Sequence, residues 1–442
     1  MSEKEQNSQN DFLIEKIKKR PINRGKLLRR TIITALMAVI FGLIACFTFL
    51  ILEPVISNWL YPEEKPELVV FPEDTKEMLP EEMLAEKLPE ESTETNYEGE
   101  MPLEEQIQNA LEEVTFNKDN YVEIYSSLSE YVTEINRYIV TVTAVSSNLD
   151  WFDNIQVSKN QTSGLLIAEN GKEVLILTDA AHIMSAEKLI VSLYNGYQTE
   201  AQVKQIDSYT NLAILAISFD VIPEKILQES IQYASLGSSN RKNILGTPVI
   251  AIGGPMGVIN SVGYGMITTS NTVYSVPERN LSLIQTYING SVNANGILFD
   301  MEGNVIGVIT SVKQEYDMKN VVYAYGVSDL KKTLEKLSNA QSFAYLGISG
   351  INVSSEAGGE YGVPLGGFVK KVEMDSPAMR AGIQQGDVIT NINGRNISTF
   401  NEYSTILMQM GPGEEVEMTV KRQSQDGYKE MNFKMETGEV KK

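Results

Sequence analysis

Residues 292–307 read VNANGILFDMEGNVIG, and this stretch decides how the centre of the chain is interpreted. Its second half opens a β-branched run, 304–311 (NVIGVITS), of the kind that forms a short strand. Similar short runs, separated by Gly, Asn, Asp and Ser, recur from about 135 to 335: 138–145, 164–168, 173–178, 189–193, 212–217 and 248–253. That spacing favours an all-β barrel or sandwich over alternating βαβ units.

A second folded segment follows at 340–437, with a different rhythm. Its sequence predicts four strands, near 345–350, 366–373, 387–392 and 415–421. A short helix is expected at 376–382 and a longer one from about 400 to 410. A small α/β domain of this size is large enough to fold by itself.

The length and composition of the chain limit what it can do. At 442 residues it is too long for one domain, and about 150 residues per domain predicts about three units. The 58 acidic and 37 basic residues give a net charge of -21, which argues against a protein held on nucleic acid by phosphate contacts. One cysteine (Cys46) and one histidine (His182) exclude a disulfide framework and a Cys/His metal cluster, so no metal or cofactor is expected. Any mechanism that needs an imidazole must use His182.

The N-terminal region predicts a membrane anchor. Residues 1–30 carry nine Lys/Arg against four Asp/Glu, and residues 31–52 (TIITALMAVIFGLIACFTFLIL) carry no charge over 22 positions. A helix of that length rises about 33 Å, enough to cross a hydrocarbon core of about 30 Å. The uncharged run is longer than the core of a cleaved signal peptide, which favours an uncleaved anchor over a signal peptide or a buried helix. The positive-inside rule then predicts a single-pass cell-membrane protein, with residues 1–30 as a cytoplasmic tail and everything after Glu53 outside the cytoplasm.

An acidic segment separates this anchor from the folded part. Residues 61–113 hold 18 acidic residues and three lysines, with six prolines scattered among them. Such a segment repels itself and has little apolar surface to bury, so residues 53–120 are expected to form an extended, mostly disordered stalk. A lure for a cationic partner is the alternative interpretation, and a solvated spacer is the simpler one.

Several motifs give the chain a resemblance to a known family. They are 163–167 (SGLLI) followed by 177–182 (LTDAAH), then 210–215 (TNLAIL), 246–257 (GTPVIAIGGPMG) and 261–267 (SVGYGMI). Together with the order of segments, they make residues 135–437 similar to HtrA/DegP-type serine proteases, in which a trypsin-like double β-barrel precedes one PDZ domain. The resemblance implies a mainly β fold, with the double barrel at 121–338, the PDZ domain at 340–437 and assembly as a homotrimer.

The resemblance also indicates where a catalytic triad would lie. His182 stands at the position of the base, in a frame one residue longer than the family's Thr-x-x-His. Asn211 stands where the family has an aspartate in the frame Thr-Asp-Leu-Ala. The triad therefore keeps its imidazole and loses the carboxylate that would orient it.

The nucleophile position is changed as well. The family's Gly-Asn-Ser-Gly-Gly-Pro-Leu corresponds to 292–298 (VNANGIL), because Gly303 to Gly307 matches the turn and strand that follow about nine residues later. This alignment places Ala294 at the serine. Anchoring on the upstream Gln285-Thr286 instead places Asn295 there, and neither residue carries a hydroxyl or a thiol.

These differences argue against proteolysis by the family's mechanism. Acyl transfer needs a nucleophilic oxygen, a base that takes its proton and a carboxylate that orients the base. Alanine has no lone pair to offer, and an amide in place of the carboxylate costs about 10⁴-fold in turnover in trypsin-type enzymes. His182 is therefore expected to be a vestigial base, packed or hydrogen-bonded in the cleft between the barrels.

Other groups near the cleft remain as alternatives. Ser291 lies three positions before Ala294, a displacement of up to about 10 Å in an extended loop, and reaches His182 only if the loop refolds. Asp179 and Asp207 are carboxylates that the fold can bring near His182. Even without a triad, the cleft can bind extended peptide by strand addition, because that uses main-chain hydrogen bonds.

The PDZ-like segment keeps the motifs of its family. A carboxylate-binding loop, whose successive N–H groups would cup the terminal carboxylate of a peptide, is expected at Tyr345, Leu346, Gly347 and Ile348. The helix near 400–410 should form the other wall of the groove, with Ile406 and Leu407 as apolar contacts. The alternative is a PDZ fold with a closed groove that serves only to dock on its own barrel.

Local signals support the PDZ assignment. Residues 375–389 (DSPAMRAGIQQGDVI) resemble the family's Ser-Pro-Ala-x-x-Ala-Gly-Leu-x-x-Gly-Asp-x-Ile. Ser376 is expected to cap a short helix with Pro377 in its first turn, and Gly382 to end it. The sequence Asn393-Gly394 predicts a tight hairpin turn.

Three functions remain to be distinguished. The first is a catalytically inactive, membrane-anchored HtrA-like protein that binds peptide or protein C-termini and unfolded segments outside the cytoplasm, in envelope protein quality control, sensing or scaffolding. The second is an active serine endopeptidase of the same family with a non-standard nucleophile. The third is an assembly or envelope-anchoring subunit that uses no peptide groove.

Overall fold

The structure, a computed structural model, describes residues 24–60, 66–74, 118–149, 155–311 and 320–440. It divides into two units, Met1–Lys65 and Pro66–Lys442. The first unit contains helix α1, Arg24–Leu60, whose segment Leu28–Thr48 is long and apolar enough to cross a membrane. The predicted span 31–52 lies within this helix, whereas most of the basic tail predicted at 1–30 lies outside the described residues.

The second unit begins with two closed β-barrels. Six strands form the first barrel, in the order β1-β2-β3-β6-β5-β4: Ile139–Leu149 (β1), Ile155–Glu169 (β2), Glu173–Asp179 (β3), Lys188–Ser192 (β4), Gln198–Asp207 (β5) and Leu212–Ser218 (β6). Six more form the second, in the order β10-β11-β12-β9-β8-β7: Pro248–Gly254 (β7), Ser261–Val276 (β8), Arg279–Asn289 (β9), Asn295–Phe299 (β10), Val305–Thr310 (β11) and Val321–Gly326 (β12). The all-β prediction for this region is confirmed.

Apolar strand residues explain why the barrels close and why they pack together. Val142, Ile176 and Leu215 are fully buried inside the first barrel, on strands whose β-branched and leucine side chains fit a pleated core. A further cluster joins the two barrels and includes Leu177 and Leu283. One continuous apolar core therefore packs the two barrels against each other.

Helices flank the barrels. They are Lys118–Ile135 (α2), Glu224–Ser230 (α3) and Val327–Ser338 (α4). Leu330, Leu334 and Leu337 lie on one face of α4 and are fully buried, which follows from their three- and four-residue spacing. None of these three helices is among the elements that the sequence analysis predicts.

The C-terminal part of the second unit is a small α/β domain. Its strands are Ala344–Tyr345 (β13), Ile348–Asn352 (β14), Gly367–Val372 (β15), Val388–Ile392 (β16), Arg395–Asn396 (β17), Glu415–Ser424 (β18), Gly427–Glu436 (β19) and Gly438–Glu439 (β20). Its helices are Ser355–Tyr361 (α5), Pro377–Ala381 (α6) and Phe400–Met408 (α7). The main sheet has the order β14-β15-β16-β18-β19, so β14 is an edge strand.

The capping and turn signals are confirmed. The Ser376 side chain accepts a hydrogen bond from Met379 N–H, Pro377 occupies the first turn of α6, and Gly382 ends the helix with φ +101°. Asn393 and Gly394 both have positive φ, +49° and +76°, as a two-residue hairpin turn between β16 and β17 requires.

Residues 66–74 depart from the disordered stalk expected over 53–120. Val69 and Phe71 are buried in the core that joins the barrels, and Asn339 hydrogen-bonds both the N–H and the C=O of Val69. Asp74 forms an ion pair with Lys331 of α4 at 2.6 Å. Burial of the Val69 and Phe71 side chains thus holds this segment on the folded part despite its acidic composition. Residues 61–65 and 75–117 of the expected stalk lie outside the described residues.

Candidate functional site

His182 lies in a short turn, Ala180–His182, directly after β3. Asp179 starts this turn, and its Oδ1 accepts a hydrogen bond from Ala181 N–H at 2.8 Å. Asp179 Oδ2 lies 3.6 Å from His182 Nδ1, which is too long for a hydrogen bond and is an ion pair only when the imidazole is protonated. The Asp179 carboxylate raises the pKa of His182 above its ordinary value, against burial, which lowers it. The carboxylate beside the imidazole is therefore Asp179.

Replacing Asp179 by asparagine should lower the pKa of His182, because it removes the negative charge that favours the imidazolium. The imidazole C–H signal can be followed by NMR without an assignment problem, since the chain has a single histidine. A raised folded-state pKa means that this contact adds stability below about pH 6.5 and loses it as the pH rises through the folded-state value. Asp426→Asn, in an exposed hairpin, is the matched control. An unchanged titration in Asp179→Asn would contradict the assignment.

Asn211 lies beside the His182 turn. Pairing of β3 with β6 sets Asp179 opposite Leu212, and the main-chain oxygen of Asn211 accepts a hydrogen bond from Ala180 N–H at 2.7 Å. The Asn211 residue is exposed and has a positive φ of +56°. The sheet therefore brings the predicted acid position next to the imidazole-bearing turn, with an amide in place of a carboxylate.

The two candidate nucleophile positions are both buried. Ala294 is 3% exposed, and its methyl group belongs to the apolar core of the second barrel. Asn295 is held to the first barrel: its Oδ1 accepts hydrogen bonds from Ser163 Oγ at 2.9 Å and from Ser163 N–H at 3.2 Å. Neither alignment of the sequence places a nucleophilic oxygen at this point.

Ser291 is tied to a neighbouring loop. Its N–H donates to the Pro255 carbonyl at 3.2 Å, and its Oγ accepts from Asn293 N–H at 3.3 Å. It also lies so close to Gly257 that a Cβ added there would be 2.7 Å from its Oγ. These contacts hold the hydroxyl on the 255–257 side of the loop, and none of them involves His182.

A cavity of about 290 Å³ lies at the junction of the barrels. Its lining includes polar side chains from both barrels, among them Ser163, Thr178, Asp179, Asn211 and Thr310. The structure therefore brings Asn211 and Asp179 to one cavity. Neither His182 nor Ala294 lines this cavity. Among the residues that the structure describes, no three His, Cys, Asp or Glu side chains lie close enough together to hold a metal ion.

The predicted carboxylate-binding loop presents its N–H groups to a side chain of the same chain. The Oε1 atom of Glu278 accepts hydrogen bonds from the main-chain N–H groups of Leu346 at 2.8 Å and of Ile348 at 3.2 Å, and a third from Gly347. Gly347 has a φ of +85°, and a Cβ there would be 2.2 Å from Ser376 Cβ. Only glycine fits at the centre of this loop.

The same carboxyl group is bound from the opposite wall. The hydroxyl of Tyr403, on α7, donates a hydrogen bond to Glu278 Oε2. Burial raises the pKa of Glu278, and the hydrogen bonds from Tyr403 and from the loop partly offset that increase. Burial also raises the pKa of Tyr403, and the Glu278 carboxylate adds to the increase.

The side chains expected to line the groove lie mainly in the core. Leu346, Ile348 and Leu407 are almost completely buried in the core of the small α/β domain, and Ile406 packs partly against it. Tyr345 is half-buried, and its hydroxyl interacts with that of Tyr209 from the first barrel. Sequence reasoning missed Glu278 and Tyr403, because no local motif links them to the loop.

Comparisons with known proteins agree with this architecture. Residues 162–308 match the trypsin-like peptidase domain, and residues 368–422 match the PDZ domain. A probable periplasmic serine endoprotease DegP-like of Halomonas elongata is 28% identical over 267 residues, which are 59% of this chain and 53% of the relative. Serine protease Do-like HtrA of Bacillus subtilis is 27% identical over 336 residues, 70% of this chain and 73% of the relative.

One solved structure to which the chain is similar is that of the HtrA-type protease AlgW with decapeptide. It is 22% identical and the match covers 70% of this chain and 98% of that chain, with a TM-score of 0.49. The chain spans about half the length of the Halomonas elongata relative. Its trypsin-like peptidase and PDZ domain matches and its curated relatives make the chain similar to the HtrA/DegP family.

Proposed function

We propose that this chain is a membrane-tethered, non-proteolytic member of the family that binds peptide or protein segments outside the cytoplasm. Its role would be protein quality control, sensing or scaffolding in the cell envelope. The tether is the apolar segment Leu28–Thr48, whose basic N-terminal flank stays in the cytoplasm under the positive-inside rule. A homotrimer, implied by the family, belongs to the same proposal.

The observation that carries the proposal is the chemistry at positions 294 and 295. The buried methyl group of Ala294 has no lone pair, and the Asn295 amide is already engaged by Ser163. Without an attacking oxygen no acyl-enzyme forms, and the general contribution of binding and an oxyanion hole alone is about 10³–10⁴-fold over water. The imidazole of His182, beside Asp179, then has no hydroxyl or thiol at positions 294 and 295 from which to accept a proton.

The peptide-binding half of the proposal rests on main-chain groups, which need no triad. Three N–H groups converge on one carboxylate in the PDZ domain, and β14 lies at the edge of the sheet, where an added peptide strand can pair. Peptide or protein C-termini provide the matching carboxylate. Unfolded segments provide the extended main chain.

The test is labelling with a fluorophosphonate probe, which reacts only with an activated hydroxyl. We expect no labelling of the full chain in detergent at a probe concentration that labels trypsin to completion, and no cleavage of casein. Casein cleavage that disappears in His182→Ala would contradict the proposal and favour an active endopeptidase. Ser291→Ala then tests whether Ser291 is the nucleophile.

A further inference from the structure

The tip of the hairpin between β8 and β9 lies in the groove of the PDZ domain. Val276 pairs with Arg279, so Pro277 and Glu278 form a two-residue tip that projects from the second barrel. The Glu278 N–H donates to the Ile348 carbonyl at 2.7 Å, and Ser275 Oγ, which donates to Asn280 Oδ1 at 2.6 Å, lies 3.5 Å from the Gly350 carbonyl oxygen. The tip therefore contacts the edge strand β14 along the line that a bound peptide strand would follow.

The position of Glu278 reproduces the contacts of a peptide's last residue. Its carboxylate accepts three convergent N–H groups from the loop, and its own N–H donates to the carbonyl of the last loop residue, Ile348. Glu278 is 6% exposed, enclosed by the loop on one side and Tyr403 on the other. Three N–H groups aimed at one oxygen form a receptor for a single carboxylate, so a second one binds only after Glu278 has left.

The conformation at the tip is also unusual. A two-residue turn with proline first and a positive φ second normally has glycine or asparagine at the second position. Glu278 has a φ of +72° there. The long acidic side chain at this position reaches the loop, which neither glycine nor asparagine would do.

Arg279, the residue after the tip, anchors the hairpin to neighbouring side chains. Arg279 forms a buried ion pair with Asp207 of the first barrel, and its guanidinium lies 5.3 Å from the centre of the Phe343 ring. Arg279 also lines a cavity of about 740 Å³, together with Asn280 and Thr405 of α7.

We propose that Glu278 is a built-in ligand of the PDZ domain: its side-chain carboxylate occupies the site for a peptide's terminal carboxylate and locks the domain onto the second barrel. The inference rests on the proposed function, because it names what a C-terminal peptide must displace. The apparent affinity for such a peptide falls in proportion to the fraction of molecules whose site is open. Removing the carboxylate therefore increases peptide binding.

Hydrogen exchange of the loop amides directly tests this lock, by which we mean the binding of the Glu278 carboxylate to the three loop N–H groups. In the full chain in detergent, the amides of Leu346, Gly347 and Ile348 should exchange about tenfold or more slowly compared with Glu278→Gly. Glycine is the variant of choice because it suits the positive φ of the turn. Glu278→Gln, which keeps one acceptor oxygen, should lie between the two. Glu229→Ala, an exposed glutamate on α3, is the control and should match the unaltered chain. Equal exchange in the unaltered chain and in folded Glu278→Gly would overturn the proposal.

Peptide binding tests the consequence. The probes are fluorescein-labelled decapeptides ending in Val, Leu or Phe with a free carboxylate, and the same peptides amidated at the C-terminus. Glu278→Gly should bind at least one free-carboxylate probe about tenfold or more tightly than the unaltered chain does, and amidation should abolish the gain. Equal affinity in both proteins would overturn the lock. Slow exchange that depends on Glu278, without peptide binding by either protein, would support the lock and contradict the proposed peptide-binding function.

Discussion

Replacing Arg279 by alanine should lower the free energy of unfolding by about 3–5 kcal/mol, since it leaves the buried Asp207 carboxylate without its cation. Asp207 is 2% exposed and Arg279 8% exposed, so water cannot solvate the remaining charge. Asp207 also accepts hydrogen bonds from Thr210 Oγ1 and from Tyr209 N–H, in the segment that leads to Asn211. The measurement is urea unfolding of the full chain in detergent, followed by circular dichroism.

Two further variants sharpen this result. Lys188→Ala breaks an exposed ion pair with Glu200, and it should cost no more than about 1 kcal/mol. The double variant Asp207→Asn, Arg279→Ala should cost less than the sum of its two single changes, because the second change removes a charge that the first has left unpaired. Additive losses, or a loss in Arg279→Ala no larger than in Lys188→Ala, would contradict the importance of this pair.

Gly296→Ala should also lower the free energy of unfolding, by distorting the second barrel. Gly296 has a φ of +115°, and a Cβ there would lie 2.2 Å from the Ile252 carbonyl oxygen, in the paired strand β7. The main chain has to move to accept it, so overpacking and an unfavourable backbone region together should cost about 3 kcal/mol or more. The same unfolding measurement checks it.

Gly359→Ala is the matched control for that change. Gly359 is exposed on α5, and nothing lies within 4 Å of an added Cβ. Alanine suits a helix better than glycine, so this variant should be neutral or slightly more stable. If Gly296→Ala proved as stable as Gly359→Ala, the close approach of β10 to β7 would be wrong.

Much of the fold could be predicted because its signals are local. Ser376, Pro377 and Gly382 define a helix by capping chemistry that acts within a few residues, and Asn393-Gly394 defines a turn by backbone preference alone. The β-branched runs named between 138 and 311 likewise fall in strands. Helix α4 was equally predictable, because Leu330, Leu334 and Leu337 follow a helical spacing in the sequence itself.

The candidate sites were predictable only in part, because they depend on long-range contacts. The positions of His182, Asn211 and Ala294 followed from motif frames, but the approach of Asp179 to the imidazole depends on the shape of one turn. Glu278 and Ile348 are separated by 70 positions in the chain. No periodicity or spacing connects a hairpin tip in one domain with a loop in another.

The docking of residues 66–74 has a consequence for limited proteolysis. Val69, Phe71 and Asp74 are bound to the barrels and to α4 by apolar burial, hydrogen bonds and an ion pair. A cut anywhere in 75–117 would therefore yield two fragments that remain associated until this contact dissociates. With the proposed membrane tether, release of the folded domains after such a cut would be limited by the rate at which this contact dissociates, and the nicked protein would at first sediment with the membrane fraction.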